Sequence, residues 1–208
     1  MNPFVEAIYK GFALGMTLCF SFGPSFFALL KTSLDKGYRS GLALAFGIFV
    51  SDVFCVGLAL VGASTVLGSP QSKLIIGIVG GTILAVYGFY SIFQTKTVNP
   101  DDEQIVIKSV NIPVTMIKGF ALNILNPFVL LLWFGWVAFV SGKDNFTTIH
   151  VTIFFVVSLI TILGTDILKA VIAHKIKKVM TPGFFNFVNR VMGLVMVILG
   201  VVMIAKTL

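Results

Sequence analysis

Six runs of predominantly apolar residues, at 4–30, 41–67, 74–93, 114–140, 147–173 and 187–205, take up most of the 208-residue chain. A helix needs roughly 20 mostly apolar residues to cross the hydrocarbon of a bilayer. Each run meets or approaches that length. None alternates polar with apolar residues, and all far exceed the ~10 residues of a membrane-barrel strand. The pattern predicts an all-α integral membrane protein with six transmembrane helices. Composition agrees: 57% of residues are hydrophobic and only 11% charged, where a soluble domain has about 25%. A soluble domain of this size has too little interior to hide so much apolar surface.

The chain also repeats itself. Lys-Gly-Phe-Ala-Leu occurs at 10–14 and again at 118–122. Each copy opens an apolar run that a proline then interrupts, at Gly23-Pro24 and at Asn126-Pro127. Each half carries an aspartate inside an apolar run, Asp52 and Asp166. The partners are separated by 108, 103 and 114 positions, all near half the length. Three landmarks in the same order point to a duplicated unit. The polar stretch within 94–113 separates the third run from the fourth, so repeat one covers 1–94, the linker 95–113 and repeat two 114–208, within a single transmembrane domain. Three helices is an odd number. Two copies of one fold must then enter the membrane from opposite sides, as inverted three-helix repeats with proline-broken helices 1 and 4.

Lysine and arginine set the orientation. Eleven of the fifteen fall on the side holding the first, third and fifth connections, and four on the other. The positive-inside rule places the eleven in the cytoplasm and both termini outside. The net charge of +7 is accounted for by these loops and gives no reason to invoke nucleic acid.

Few residues in the apolar runs carry chemistry. At Ser21-Phe22-Gly23-Pro24-Ser25, proline removes a backbone donor and frees a carbonyl one turn earlier. In hydrocarbon such groups must face protein or a water-filled cavity. Ser21 and Ser25 are placed to satisfy them, and Gly23 permits close approach to the backbone. Asn123 and Asn126 are three residues apart, on one face of a continuous helix, and offer donors and acceptors to a zwitterionic ligand. Asp52 is mid-run with no basic neighbour within a turn; burying its charge costs on the order of 3 kcal/mol on insertion scales. Such a carboxyl is a candidate proton carrier. Asp166 precedes Lys169 by three residues, and an i,i+3 ion pair is a sufficient reason for both, with Lys169 also able to reach toward the cytoplasmic edge. The bland alternatives are a packing kink at the prolines and interhelical hydrogen bonding at the amides and acids. Cys19 and Cys55 show no paired spacing, so no thiolate metal site, redox relay or cofactor is indicated.

The runs Gly23-Pro24, Lys36 to Gly41, Gly47 with Ser51-Asp52, and Lys118 to Asn123 followed by Leu125-Asn126-Pro127 resemble the signatures of LysE/RhtB-type amino-acid exporters. The likeness extends over essentially the whole chain. It implies export of an amino acid or related small metabolite, driven by the proton motive force across a bacterial inner (plasma) membrane. It places functional weight on Gly23, Pro24, Asp52, Asn123, Asn126 and Pro127. After the first proline the chain departs from the usual pattern: Ser25-Phe26-Phe27 stands where many members have asparagine or glutamine.

The candidate pathway residues are therefore Gly23, Pro24, Asp52, Asn123, Asn126, Pro127 and Asp166, with a small solute, protons and the bilayer as partners. Two other classes stay open: a channel or scaffold without proton coupling, and an intramembrane enzyme. The enzyme lacks a nucleophile–base pair or a metal-binding motif in these runs. Gly77, Gly80 and Gly81 form a face that can pack within one protomer or between two in a homo-oligomer.

Overall fold

The computed structural model describes residues 2–19, 23–66, 70–93, 111–142, 146–176 and 181–207. Most of the expected linker, together with Ser21, Lys96, Lys108, Lys143, Lys177 and Lys178, lies outside them. Among the described residues all regular structure is helical: α1 (Pro3–Cys19), α2 (Pro24–Lys36), α3 (Tyr38–Val66), α4 (Pro70–Phe93), α5 (Ile112–Ile124), α6 (Pro127–Ser141), α7 (Thr148–Ile176) and α8 (Pro182–Ala205).

Proline sets where these helices begin. Six of the seven prolines occupy the first or second position of a helix; Pro100 lies outside the described residues. The missing N–H is no loss there, because the first helical amides have no partner within the helix. Polar side chains cap several of the same ends. Asn111 accepts from Val114 N and Thr181 from Phe184 N, each at 3.1 Å. Pro24 and Pro127 therefore break their segments, as the sequence suggested, and do not merely kink them: each starts a new helix. α1 and α2 are inclined by 69°, and α5 and α6 by 68°. The first broken segment also runs on past position 30, to Lys36. Only Gly37 separates it from α3, with φ at +82°, a conformation that side chains with a Cβ rarely adopt.

Among the described residues three helices are long and apolar enough to cross a membrane alone: Tyr38–Gly62 in α3, Thr148–Ala173 in α7 and Asn186–Ala205 in α8. Each bent pair meets the same criterion as a unit, which brings the number to as many as five. The remaining expected run, the third (74–93), corresponds to α4, whose described apolar stretch, Gly77–Phe93, is shorter.

Glycine governs how the helices meet. α3 packs on α5, α1 on α7, and α4 on α8. A Cβ on Gly119 would come closer than 3.0 Å to the Leu44 carbonyl, and one on Gly11 would lie 2.5 Å from the Phe154 carbonyl. Both glycines belong to the repeated Lys-Gly-Phe-Ala-Leu motif, and each brings its helix against a long helix of the other half. Gly81 and Gly200 approach each other's carbonyls in the same way, as do Gly88 and Gly193. Position numbers rise along α4 as they fall along α8, so this pair is antiparallel. The face of Gly77, Gly80 and Gly81 is thereby used inside the protomer, against Thr207, Met203 and Gly200.

The buried core centres on α3, with Leu44, Ala45, Cys55 and Ala59 fully enclosed, and on Trp133 and Val137 of α6. Large apolar side chains face outward on every helix but α2, among them Phe12, Phe54, Phe89, Phe139, Ile160 and Phe187. Water would penalise that exterior, and lipid would not.

Candidate functional site

α3 carries Asp52 into the middle of the bundle, where it is 6% exposed. Asn123 Nδ2 donates to its Oδ1 at 2.8 Å, and Trp133 Nε1 donates to the same oxygen at 2.9 Å. Among the described residues no donor reaches Oδ2. Asn123 is itself oriented by Ser25, whose Oγ donates to Asn123 Oδ1 at 3.2 Å. The chain Ser25–Asn123–Asp52–Trp133 thus ties α2, α5, α3 and α6 together. A carboxylate in so apolar a setting is tolerable only when donors replace the lost water, and the amide and indole N–H groups do this.

The two helix breaks meet beside this network. Asn126 has extended backbone (φ −84°, ψ 107°) and caps α6, its Oδ1 accepting from Phe128 N at 3.1 Å. The shared helical face expected for Asn123 and Asn126 does not exist, because α5 ends at Ile124; the first sits in a last turn and the second in the gap. Gly23 occupies the matching position before α2, also extended. A Cβ there would meet only Asn126 Nδ2, at 3.9 Å, so neither backbone nor neighbours demand glycine. Its absent side chain leaves space between the breaks. Ser25, expected to satisfy a carbonyl freed by Pro24, is spent on Asn123 instead.

That space is a small cavity of about 90 Å³. Gly23, Asp52, Asn123, Asn126 and Asp166 all border it, so five of the seven residues singled out in the sequence converge. The prolines do not: Pro24 opens α2 outside the lining, and Pro127 borders a separate, mostly apolar cavity of about 830 Å³. On α7, Lys169 Nζ donates to Asp166 Oδ1 at 2.8 Å, the ion pair expected from their spacing. Lys169 does not reach for the membrane edge. Its side chain is 12% exposed, lines the cavity, and sets Nζ 5.5 Å from the Phe26 ring centroid.

Trp133 and Lys169 were not among the sequence candidates. Trp133 had one legible signal: an indole N–H in an otherwise apolar run needs an acceptor, and Asp52 needed a donor. Nothing local shows that the two meet across 81 positions. Among the described residues no three His, Cys, Asp or Glu side chains gather as a metal site would require.

Apolar helices able to cross a bilayer, two of them broken around a buried, hydrogen-bonded acid and a polar cavity, define an integral membrane protein of the transporter class. The LysE type translocator family profile matches residues 16–207, and the chain belongs to that family. The family is one of membrane translocators, as the resemblance noted above implied. No curated protein and no solved structure matches the chain.

Proposed function

We propose that this protein is a secondary transporter that exports an amino acid or a related small metabolite in exchange for protons, with Asp52 as the coupling acid. The observation that carries this reading is the setting of Asp52: buried mid-helix, held at one oxygen by Asn123 and Trp133, and bordering the cavity between the two breaks. Its charge state balances desolvation when ionised against a lost charge-assisted bond when neutral. A cargo ammonium entering the cavity favours the carboxylate and expels its proton. Antiport then follows from competition for one group.

The same reading takes the chain as six segments in two inverted repeats, 1–94 and 114–208, in a bacterial inner membrane with both termini outside. The paired contacts of Gly11 and Gly119 support it, since each repeat motif makes the same kind of approach to the opposite half. So does the antiparallel α4–α8 pair. Pro24 and Pro127 act by creating the breaks, and Asn126 by fixing one of them.

The test is a comparison of cells with and without the protein, fed dipeptides so that amino acids accumulate. Lower internal and higher external levels of particular amino acids are expected when the protein is present. Unchanged levels with normal protein in the membrane overturn the reading. Efflux that ignores a pH gradient in vesicles replaces the antiporter with a channel.

A further inference from the structure

We infer that Lys169 is the carboxylate subsite of the cavity, so that the cargo is a small zwitterion held between Lys169 and Asp52; this rests on the amino-acid reading above. Lipid penalises charge, so an ion pair on α7 turns into the bundle in any case; what this pair adds is its access to the space beside Asp52. Here both side chains turn inward and border the same cavity as Asp52. Phe26 stacks under Nζ and also lines the cavity, so one face of the ammonium is covered by ring and another held by Asp166. An ammonium carries three donors, and among the described residues Lys169 spends one, on Asp166 Oδ1.

The opposite pole has complementary chemistry. Asp52 receives both its donors on Oδ1. Among the described residues no donor reaches its other oxygen, which can take a cargo ammonium. The cavity therefore presents the Lys169–Asp166 ion pair on α7 and a second acid on α3, so that a cargo carboxylate finds the remaining Lys169 donors and its ammonium finds Asp52. A cargo with only one of these groups would leave either the remaining Lys169 donors or the second Asp52 oxygen unused in a low-dielectric site, which is costly. The amino-terminal end of α2 at Gly23 borders the cavity too, and its dipole favours the anionic end of the cargo.

Size restricts the cargo further. At about 90 Å³ the cavity is small beside the roughly 300–1,000 Å³ of pockets that enclose drug-sized ligands, so it admits only small solutes as it stands. Larger side chains require the breaks to separate.

The purified full-length protein is titrated with glycine, L-alanine, L-serine and L-threonine, and with their carboxamides, which keep the ammonium and lose the anion. Binding is read as ligand-induced thermal stabilisation. The wild type is expected to bind at least one acid about tenfold or more tighter than its amide. Lys169→Gln is expected to abolish that preference while leaving amide binding in place, and Lys169→Arg to restore much of it. Because Lys169→Gln strands Asp166, the double variant Asp166→Asn/Lys169→Gln, which removes both charges, is measured beside it and is expected to show the same lost preference. Equal loss of acid and amide binding in these variants, or a preserved preference, overturns the Lys169 assignment and leaves the amino-acid reading intact. No stabilisation of the wild type by any compound overturns both.

Discussion

Replacing Asp52 by asparagine isolates proton coupling from folding. Asparagine keeps the shape, and its carbonyl oxygen can accept from both Asn123 Nδ2 and Trp133 Nε1, now 2.8 and 2.9 Å from Asp52 Oδ1. Two charge-assisted bonds become neutral ones, a loss of about 1 kcal/mol each. Against this, no charge need be buried, which returns on the order of 3 kcal/mol on insertion scales. The two nearly cancel, so Asp52→Asn is expected to insert, fold and resist heat within about 1 kcal/mol of the wild type. Asp52→Ala is the contrast: it strands two buried donors at about 1–3 kcal/mol each and is expected to be plainly destabilised. Function should divide the other way. Each pH unit across a membrane is worth about 1.4 kcal/mol per proton, so an exchanger moving one proton per solute sustains about hundredfold accumulation across two units. In proteoliposomes under that gradient, Asp52→Asn is expected to equalise solute and go no further, while exchange of labelled for unlabelled solute continues. Uphill transport by a folded Asp52→Asn protein would refute the reasoning and make Asp166 the candidate acid.

The remaining expectations concern the breaks, the glycine contacts and the topology. Asn126→Ala removes the α6 cap at a stability cost of about 1 kcal/mol, and with Pro127→Ala is expected to depress transport several-fold at normal membrane levels; unimpaired efflux by both would reduce the break to packing. Gly119→Ala drives a methyl into the Leu44 carbonyl and is expected to lower yield and thermal stability sharply, whereas Gly23→Ala, with only Asn126 Nδ2 at 3.9 Å, should fold normally and weaken solute binding by narrowing the cavity. Thermal melts of the two purified variants check this, and equal stability would contradict the packing argument. Tags at either terminus should be labelled from outside intact cells, and a tag within 94–110 only after permeabilisation; a cytoplasmic terminus would contradict the charge-based orientation.

Several features of this protein are set by local chemistry alone. Apolar runs of this length leave no soluble option, and a proline inside such a run must end a helix, so the membrane class and both breaks followed from residue order. Asp52, Asn123 and Asn126 stood out because polar groups in hydrocarbon are costly wherever they sit. The Asp166–Lys169 pair was legible because its partners are one helical turn apart. Tertiary structure decided everything that depends on which helix faces which. In water an apolar stripe marks the buried side of a helix; in lipid the outside is as apolar as the core, so periodicity does not separate them. Hence nothing local showed that Asp52 would take its donors from Asn123 and Trp133, 71 and 81 positions away, that Ser25 would turn to Asn123, or that Lys169 would point inward to Phe26 rather than out to the membrane edge. The glycines of α4 likewise permitted either a partner protomer or α8, and only the packed bundle shows Thr207, Met203 and the Gly200 carbonyl against them.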